Sequence, residues 1–434
     1  MGQPVDTAPP PSLPDRARPP QVLLGVGAVL LVSAAAAVAS AYGGAPVRAL
    51  LLALATTAAG FSLRAARGRL PSSEEVLAAS ATGLALAGTE LGAPAHGASA
   101  GAGAALAVVF LVLHRLSPTT ATWPLASWAG AQIAVLRGLD AVPSLLRTEA
   151  FLCVALAGLG IALFGRRVVA RAALVTTAPW WFAGVVGGSS STWVDDGGRQ
   201  WTSAVLMIAA ALGLVLARLR EPLDPLLGGP RLVPVVAGVV AGASVTGAFS
   251  SLGPVALTLT GYAGVLLANL SAAHLTGWRR GLGLPVALAA GLVMAGSCVA
   301  QLVARGEWGQ LCLLLVLTAL PTVAVAVRRP GDRPVALPTA VGCLAGAALL
   351  ALPAGLLTPV EAAVALTVLY AAAMAVGSAL HAGSRRATAR TAGLCAVAAV
   401  VPLLVEGERT ALDLVLAVQG IATLAWAGRT GRRA

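Results

Sequence analysis

The stretch WGQLCLLLVLTALPTVAVAVRR, residues 308–329, decides how this chain folds. From Trp308 to Val327 it holds no charged side chain, and it ends on Arg328 and Arg329. A helix rises about 1.5 Å per residue, so about twenty apolar residues cross the roughly 30 Å hydrocarbon core of a bilayer. An aromatic residue at one end and paired arginines at the other are interface anchors, the basic end being cytoplasmic. The stretch therefore predicts a transmembrane helix over 308–327.

The same pattern extends in both directions. Upstream, apolar runs predict helices over 21–43, 47–63, 74–91, 98–114, 120–137, 144–164, 168–188, 201–217, 231–251, 254–275 and 282–304. Downstream they predict 335–352, 357–381, 390–405 and 409–427. Several runs are short for a full crossing, which brackets the total between fourteen and sixteen, with sixteen the expected number. The expected class is an all-α polytopic transmembrane helical bundle.

Composition excludes the alternatives. Of 434 residues, 58% are hydrophobic and 11% charged, where soluble domains carry roughly 25% charged residues. Mean hydropathy is +0.86. A net charge of +12 would point to nucleic acid in a soluble protein, but here the basic residues are distributed by membrane side. All 29 basic residues are Arg. Together with the Ala, Gly, Val and Leu bias, this reads as the codon usage of a GC-rich genome.

The arginines test the helix count. They fall before the first predicted helix (Arg16, Arg18) and after every even-numbered one: Arg64, Arg67 and Arg69; Arg115; Arg166, Arg167 and Arg171; Arg218, Arg220 and Arg231; Arg279 and Arg280; Arg328, Arg329 and Arg333; Arg385, Arg386 and Arg390; and Arg429, Arg432 and Arg433. That puts 23 of the 29 on one side. The other six are Arg48, Arg137, Arg147, Arg199, Arg305 and Arg409, most of them close to an acid. A miscounted helix would invert the alternation from that point onward. The expected topology is eight out-and-back hairpins with both termini cytoplasmic, in a bacterial cytoplasmic (inner) membrane.

The corresponding segments are a disordered proline-rich cytoplasmic tail (1–20), helices one to eight (21–217), a cytoplasmic linker (218–230), helices nine to sixteen (231–428) and a basic cytoplasmic tail (429–434). Ala39-Ser40-Ala41 imitates a signal-peptidase site, yet the run containing it is long enough to span. Repeated halves, common in transporters, have no residue-level support here.

Candidate site residues are few. Thr258, Tyr262 and Asn269 recur at i, i+4 and i+11, within about 40° of one another on a helix. Ser297 and Gln301 lie at i and i+4 on the next span, and Ser244 and Thr246 on the preceding one. These form either a polar substrate path or interhelical glue, since hydroxyls and amides bond across helices in lipid for about 0.6 kcal/mol each. Trp180 and Trp181 follow Pro179 and make either an aromatic binding wall or part of an interfacial belt. His114, His274 and His381 mark helix ends, and His96 falls in a turn.

The acids read mainly as helix caps. Thr358 with Glu361, Ser72 with Glu75, and Thr410 with Asp413 have capping-box spacing. No acid stands at mid-bilayer, which argues against a proton- or ion-coupled pump. Gly238 with Gly242, and Gly342 with Gly346, match the GxxxG pattern, although 50 glycines make chance matches frequent. Cys153, Cys298, Cys312, Cys343 and Cys395 lie in apolar spans without CxxC spacing, so neither a metal nor a disulfide is expected. No Walker loop, GxSxG or HExxH is present. No cofactor is expected, and enzyme chemistry has no motif behind it.

The stretches Leu116–Trp128, LSPTTATWPLASW, and Ala178–Gly184, APWWFAG, resemble uncharacterised multi-pass membrane proteins of Streptomyces-like actinobacteria. The resemblance extends over most of the chain in style and helix number. It implies an actinobacterial membrane protein but transfers no activity and no site residue.

Three functions are compatible with this reading. The first is a transporter, permease-like or flippase-like, for a small or lipidic substrate. The second is a scaffold or cell-envelope assembly partner that transports nothing. The third is a glycosyltransferase acting on lipid-linked sugars, resting on Asp195 and Asp196 in the longest outer loop. The expected partners are the lipid bilayer and a small-molecule or lipid substrate, with no nucleic acid.

Overall fold

The apolar runs fold as helices. In a computed structural model of the chain, the described residues run from 26 to 431, apart from 28, 31, 36, 39–40, 42–43, 91–95, 140, 195–197 and 381. Helix accounts for 87% of the structure, and no strand occurs among the described residues. The class is all-α.

The first helix, α1, is helical at every described position between 26 and 41. It is followed by α2 (Ala45–Arg67), α3 (Pro71–Glu90), α4 (His96–Leu116), α5 (Thr122–Gly138), α6 (Arg147–Phe164), α7 (Arg167–Ser191) and α8 (Arg199–Arg218). Then come α9 (Leu232–Ser250), α10 (Pro254–His274), α11 (Gly277–Ala304) and α12 (Trp308–Arg328). The last four are α13 (Arg333–Leu350), α14 (Pro359–Ser378), α15 (Ala382–Glu406) and α16 (Arg409–Gly431). Among the described residues, twelve helices, α2 and α6 to α16, are long and apolar enough to cross a membrane.

Most helix ends fall close to the apolar limits. The largest departures are α11 and α15, which begin five and eight residues before the predicted 282 and 390. Their first turns, GWRRGLG and AGSRRATAR, are helical although charged. A helix needs only its own backbone bonds to extend beyond the apolar zone, and long arginine side chains carry their charge outward.

The helices gather into two compact units, one of residues 1–150 and 157–180, the other of 151–156 and 181–434. In the first, α2 packs along α3 and α4 along α5. Leu51, Leu84, Phe110 and Trp123 centre its core, the last two rings stacked at 5.9 Å. In the second, the most extensive pairs are α10 with α11, α9 with α11, α14 with α15, α12 with α13, and α8 with α9. One core, Leu257, Cys298, Leu302, Leu311 and Leu314, joins α10, α11 and α12. Another, Leu366, Leu403 and Val415 with alanines, joins α14, α15 and α16.

The packing partners refine the hairpin picture. Within each unit the closest contact of most helices crosses an arginine-bearing turn, as in α2 with α3 or α10 with α11, and not the intervening turn. Small residues explain two of these crossings. A Cβ on Gly264 would stand 2.8 Å from the Gly291 carbonyl oxygen, and one on Gly103 would stand 2.9 Å from the Ala134 backbone nitrogen. In lipid, where apolar contact with a neighbour gains little over contact with acyl chains, such close backbone approach is what holds helices together.

Large apolar side chains face outward. Phe164 is 90% exposed, and Leu292 and Leu424 are each 75% exposed. Such a surface is stable against lipid and not against water. The 218–231 connection lies inside the second unit and is folded on itself. The Arg218 Nε is 2.9 Å from Asp224 Oδ1, and its terminal nitrogen donates to the Asp224 and Gly228 carbonyls.

Candidate functional site

The polar residues of α9 to α11 are satisfied largely by their own helices. Thr258 shares its single hydroxyl proton between the Pro254 carbonyl at 3.0 Å and Gln310 Oε1 at 3.1 Å, the second contact joining α10 to α12. Asn269 donates to the Val265 carbonyl and Ser297 to the Val293 carbonyl. Ser244 and Thr246, both fully buried, donate to Val240 and Gly242. Tyr262 packs half-buried against the Leu257–Leu314 core, and Gln301 is half-buried one turn beyond Ser297. A hydroxyl bonded four residues back has its proton already engaged by its own backbone, wholly or, in Thr258, in part.

The two tryptophans part company. Trp180 is buried in the first unit, with its indole N–H donating to Gln132 Oε1 at 2.9 Å. Trp181 belongs to the second unit, where its N–H donates to the Ala210 carbonyl at 3.3 Å. Asp195 and Asp196 lie outside the described residues, as do the side chains of His96 and His381.

A polar cluster joins α3 to the α4–α5 connection, a role the sequence did not predict. Glu74, at the start of α3, is 4% exposed. Its carboxylate accepts from Ser117 and, at 3.0 and 3.1 Å, from Thr119 and Thr120. Its backbone carbonyl accepts from Ser62 of α2 at 2.9 Å. Next to it, Glu75 accepts from the backbone N–H groups of Ala121 at 2.6 Å and Thr122 at 3.2 Å, and from the Thr122 hydroxyl. Arg166 donates to the Thr119 carbonyl at 3.1 Å.

Glu75 was expected to close a capping box with Ser72 at the start of its own helix. The helix instead begins at Pro71, so Glu75 lies a full turn inside it and caps the first turn of α5. The orphan N–H groups of one helix thus take their acceptor from another, where the dipole favours a negative charge. Chemically the cluster is a latch: two carboxylates bind the α4–α5 connection to α3. The Thr358–Glu361 capping box does form within its own helix.

An apolar cavity lies elsewhere, among α8, α9, α10 and α11. It measures about 560 Å³ and is lined by Leu212, Ala241, Leu267, Leu282 and Val286 among other apolar side chains, with Arg279 as its charged member. Gly238 and Gly242 hold α9 close to α11 beside it. They bring α9 against the Val286 and Ala290 carbonyls of α11, with a Cβ on Gly242 standing only 2.6 Å from the latter oxygen. The second GxxxG match behaves differently, since a Cβ on Gly342 would meet nothing within 4 Å. None of the seven candidate residues Thr258, Tyr262, Asn269, Ser297, Gln301, Trp180 and Trp181 lines this cavity.

A volume of this size falls in the roughly 300–1,000 Å³ range of ligand pockets. With an almost wholly apolar wall it suits hydrocarbon, and its single guanidinium suits an anionic end group. Among the described residues, no group of three or more His, Cys, Asp or Glu is placed to hold a metal, and the five cysteines are free.

Fold and cavity together define an integral, multi-pass, all-α membrane protein. Comparison with protein-family models, with curated proteins and with solved structures gave no match.

Proposed function

We propose that this protein is a permease- or flippase-like carrier of a lipidic substrate in a bacterial cytoplasmic membrane, with both chain ends in the cytoplasm. The observation that carries the reading is the apolar cavity among α8, α9, α10 and α11 with Arg279 in its wall. Hydrocarbon gains about 25 cal/mol for each Å² taken out of water, but nothing comparable on moving from bilayer to groove. A lipid is therefore held loosely by its chain and selected by its head, as a carrier that must release its cargo requires. The arginine distribution supports the orientation. The all-Arg, Ala- and Gly-rich composition and the resemblance of 116–128 and 178–184 support an actinobacterial source.

The test is lipid translocation in proteoliposomes. Fluorescent phospholipid in the inner leaflet is expected to become accessible to dithionite faster than in protein-free vesicles. Ala241→Phe, which fills the groove, is expected to slow it at least fivefold. Rates equal to protein-free vesicles for anionic, zwitterionic and isoprenoid-linked lipids would remove the carrier reading and leave the scaffold.

A further inference from the structure

A second groove runs down the other flank of α11. It measures about 690 Å³ and is walled by Val235 of α9 and by Leu284, Leu288 and Leu292 of α11, with Arg231 and Arg280 as its charged members. Both arginines are exposed, and neither guanidinium has a hydrogen-bond or ion-pair partner among the described residues. No acidic side chain lines the groove.

We infer that this groove is a binding site for a resident anionic phospholipid of the bilayer, its phosphate held between Arg231 and Arg280 and one acyl chain lying along α11. One observation points to that occupant, and two simpler occupants each leave part of it unexplained. Two exposed, unpaired guanidiniums stand at one end of a groove that is otherwise apolar, which matches a molecule charged at one end. A free phosphate would account for the arginines and leave the apolar length unexplained. An apolar helix of a second copy would account for the length and leave two cations without partners against it.

The dimensions agree as well. From Arg280 to Leu292 the helix advances about 18 Å at about 1.5 Å per residue, against about 15 Å for one leaflet of a roughly 30 Å core. Gly281 leaves the upper part of the groove open, since a Cβ there would meet nothing within 4 Å. Paired arginines bind phosphate oxygens through charge-assisted hydrogen bonds, and basic pockets between transmembrane helices are a recognised form of lipid headgroup site.

This site is separate from the carrier cavity, and its test involves no transport. The full-length protein in detergent is titrated with phosphatidylglycerol or phosphatidylcholine of identical chains, and bound lipid is counted by native mass spectrometry. Phosphatidylglycerol is expected to bind with a defined stoichiometry and phosphatidylcholine weakly. The double substitution Arg231→Gln/Arg280→Gln is expected to weaken phosphatidylglycerol about 30-fold, or about 2 kcal/mol. Gly281→Trp, which blocks the groove and keeps both arginines, is expected to weaken it similarly. Arg385→Gln/Arg386→Gln removes the same charge elsewhere and is expected to change binding less than twofold.

Equal binding of the two lipids would overturn the inference. So would wild-type affinity in the Arg231/Arg280 or Gly281 variants, provided their thermal unfolding matches the wild type, or an equal loss in the Arg385/Arg386 control. Lipid binding without translocation would sink the carrier reading alone, and translocation without selective binding would sink this one alone.

Discussion

Glu74 and Glu75 are adjacent in sequence and do different things. Glu74 is withdrawn from solvent and gathers three hydroxyls from the 117–120 turn, whereas Glu75 spans to the N-terminus of α5. Hydrogen bonds to a charged group contribute about 1.5–3 kcal/mol, and stranding the donors adds the cost of burying them unpaired. Glu74→Leu, which leaves Ser117, Thr119 and Thr120 facing an apolar group, is therefore expected to destabilise the protein by about 2–3 kcal/mol. Glu75→Ala removes a helix cap and is expected to cost about 1–2 kcal/mol. Both are read from thermal unfolding in detergent, and an unchanged midpoint in Glu74→Leu would show that the latch contributes nothing. The sequence holds a trace of this cluster, two acids beside the Arg64–Arg69 turn and a hydroxyl-rich run 117–122. It does not hold the pairing, because the partners are more than forty positions apart.

At the scale of elements, the helices were legible and their neighbours were not. Apolar length sets where a chain can cross a bilayer, so most boundaries could be read from composition alone. Which helix lies beside which depends on where small residues allow two backbones to meet. The two GxxxG matches illustrate the difference. They look alike in sequence, yet Gly238 and Gly242 touch the backbone of α11, whereas Gly342 faces open space. Gly291→Leu, which drives a side chain into the Gly264 carbonyl, is expected to cost about 1–3 kcal/mol and to lower the unfolding temperature measurably by tryptophan fluorescence. Gly342→Leu is expected to change it little. Equal effects of the two would mean that the α10–α11 crossing does not depend on its glycines. Periodicity collects Thr258, Tyr262 and Asn269 on one side of α10, but whether that side meets a cavity or other helices is a property of the neighbours. Thr258 meets Gln310 of α12.

For the whole molecule, the arginine alternation makes a prediction that every turn can check. Taking the side that carries 23 of the 29 arginines as the cytoplasmic one, as proposed above, alkaline phosphatase fused after residue 253 or 306 is expected to be active. The same fusion after 276 or 330 is expected to be inactive, and green fluorescent protein after 434 to fluoresce. Activity after 276 would break the topology from that helix onward.

Hydropathy and charge are summed over a segment and answer to the bilayer, which is the same for every helix. Composition alone was therefore enough to read an all-α, many-helix membrane protein and the limits of most of its helices. Contacts between segments answer to side-chain size and hydrogen-bond partners at single positions far apart in the chain. It took the packed helices to reveal that Glu75 caps a helix not its own, that most close pairs meet across the arginine-bearing turns, and that α11 is flanked by two apolar grooves with arginines in their walls.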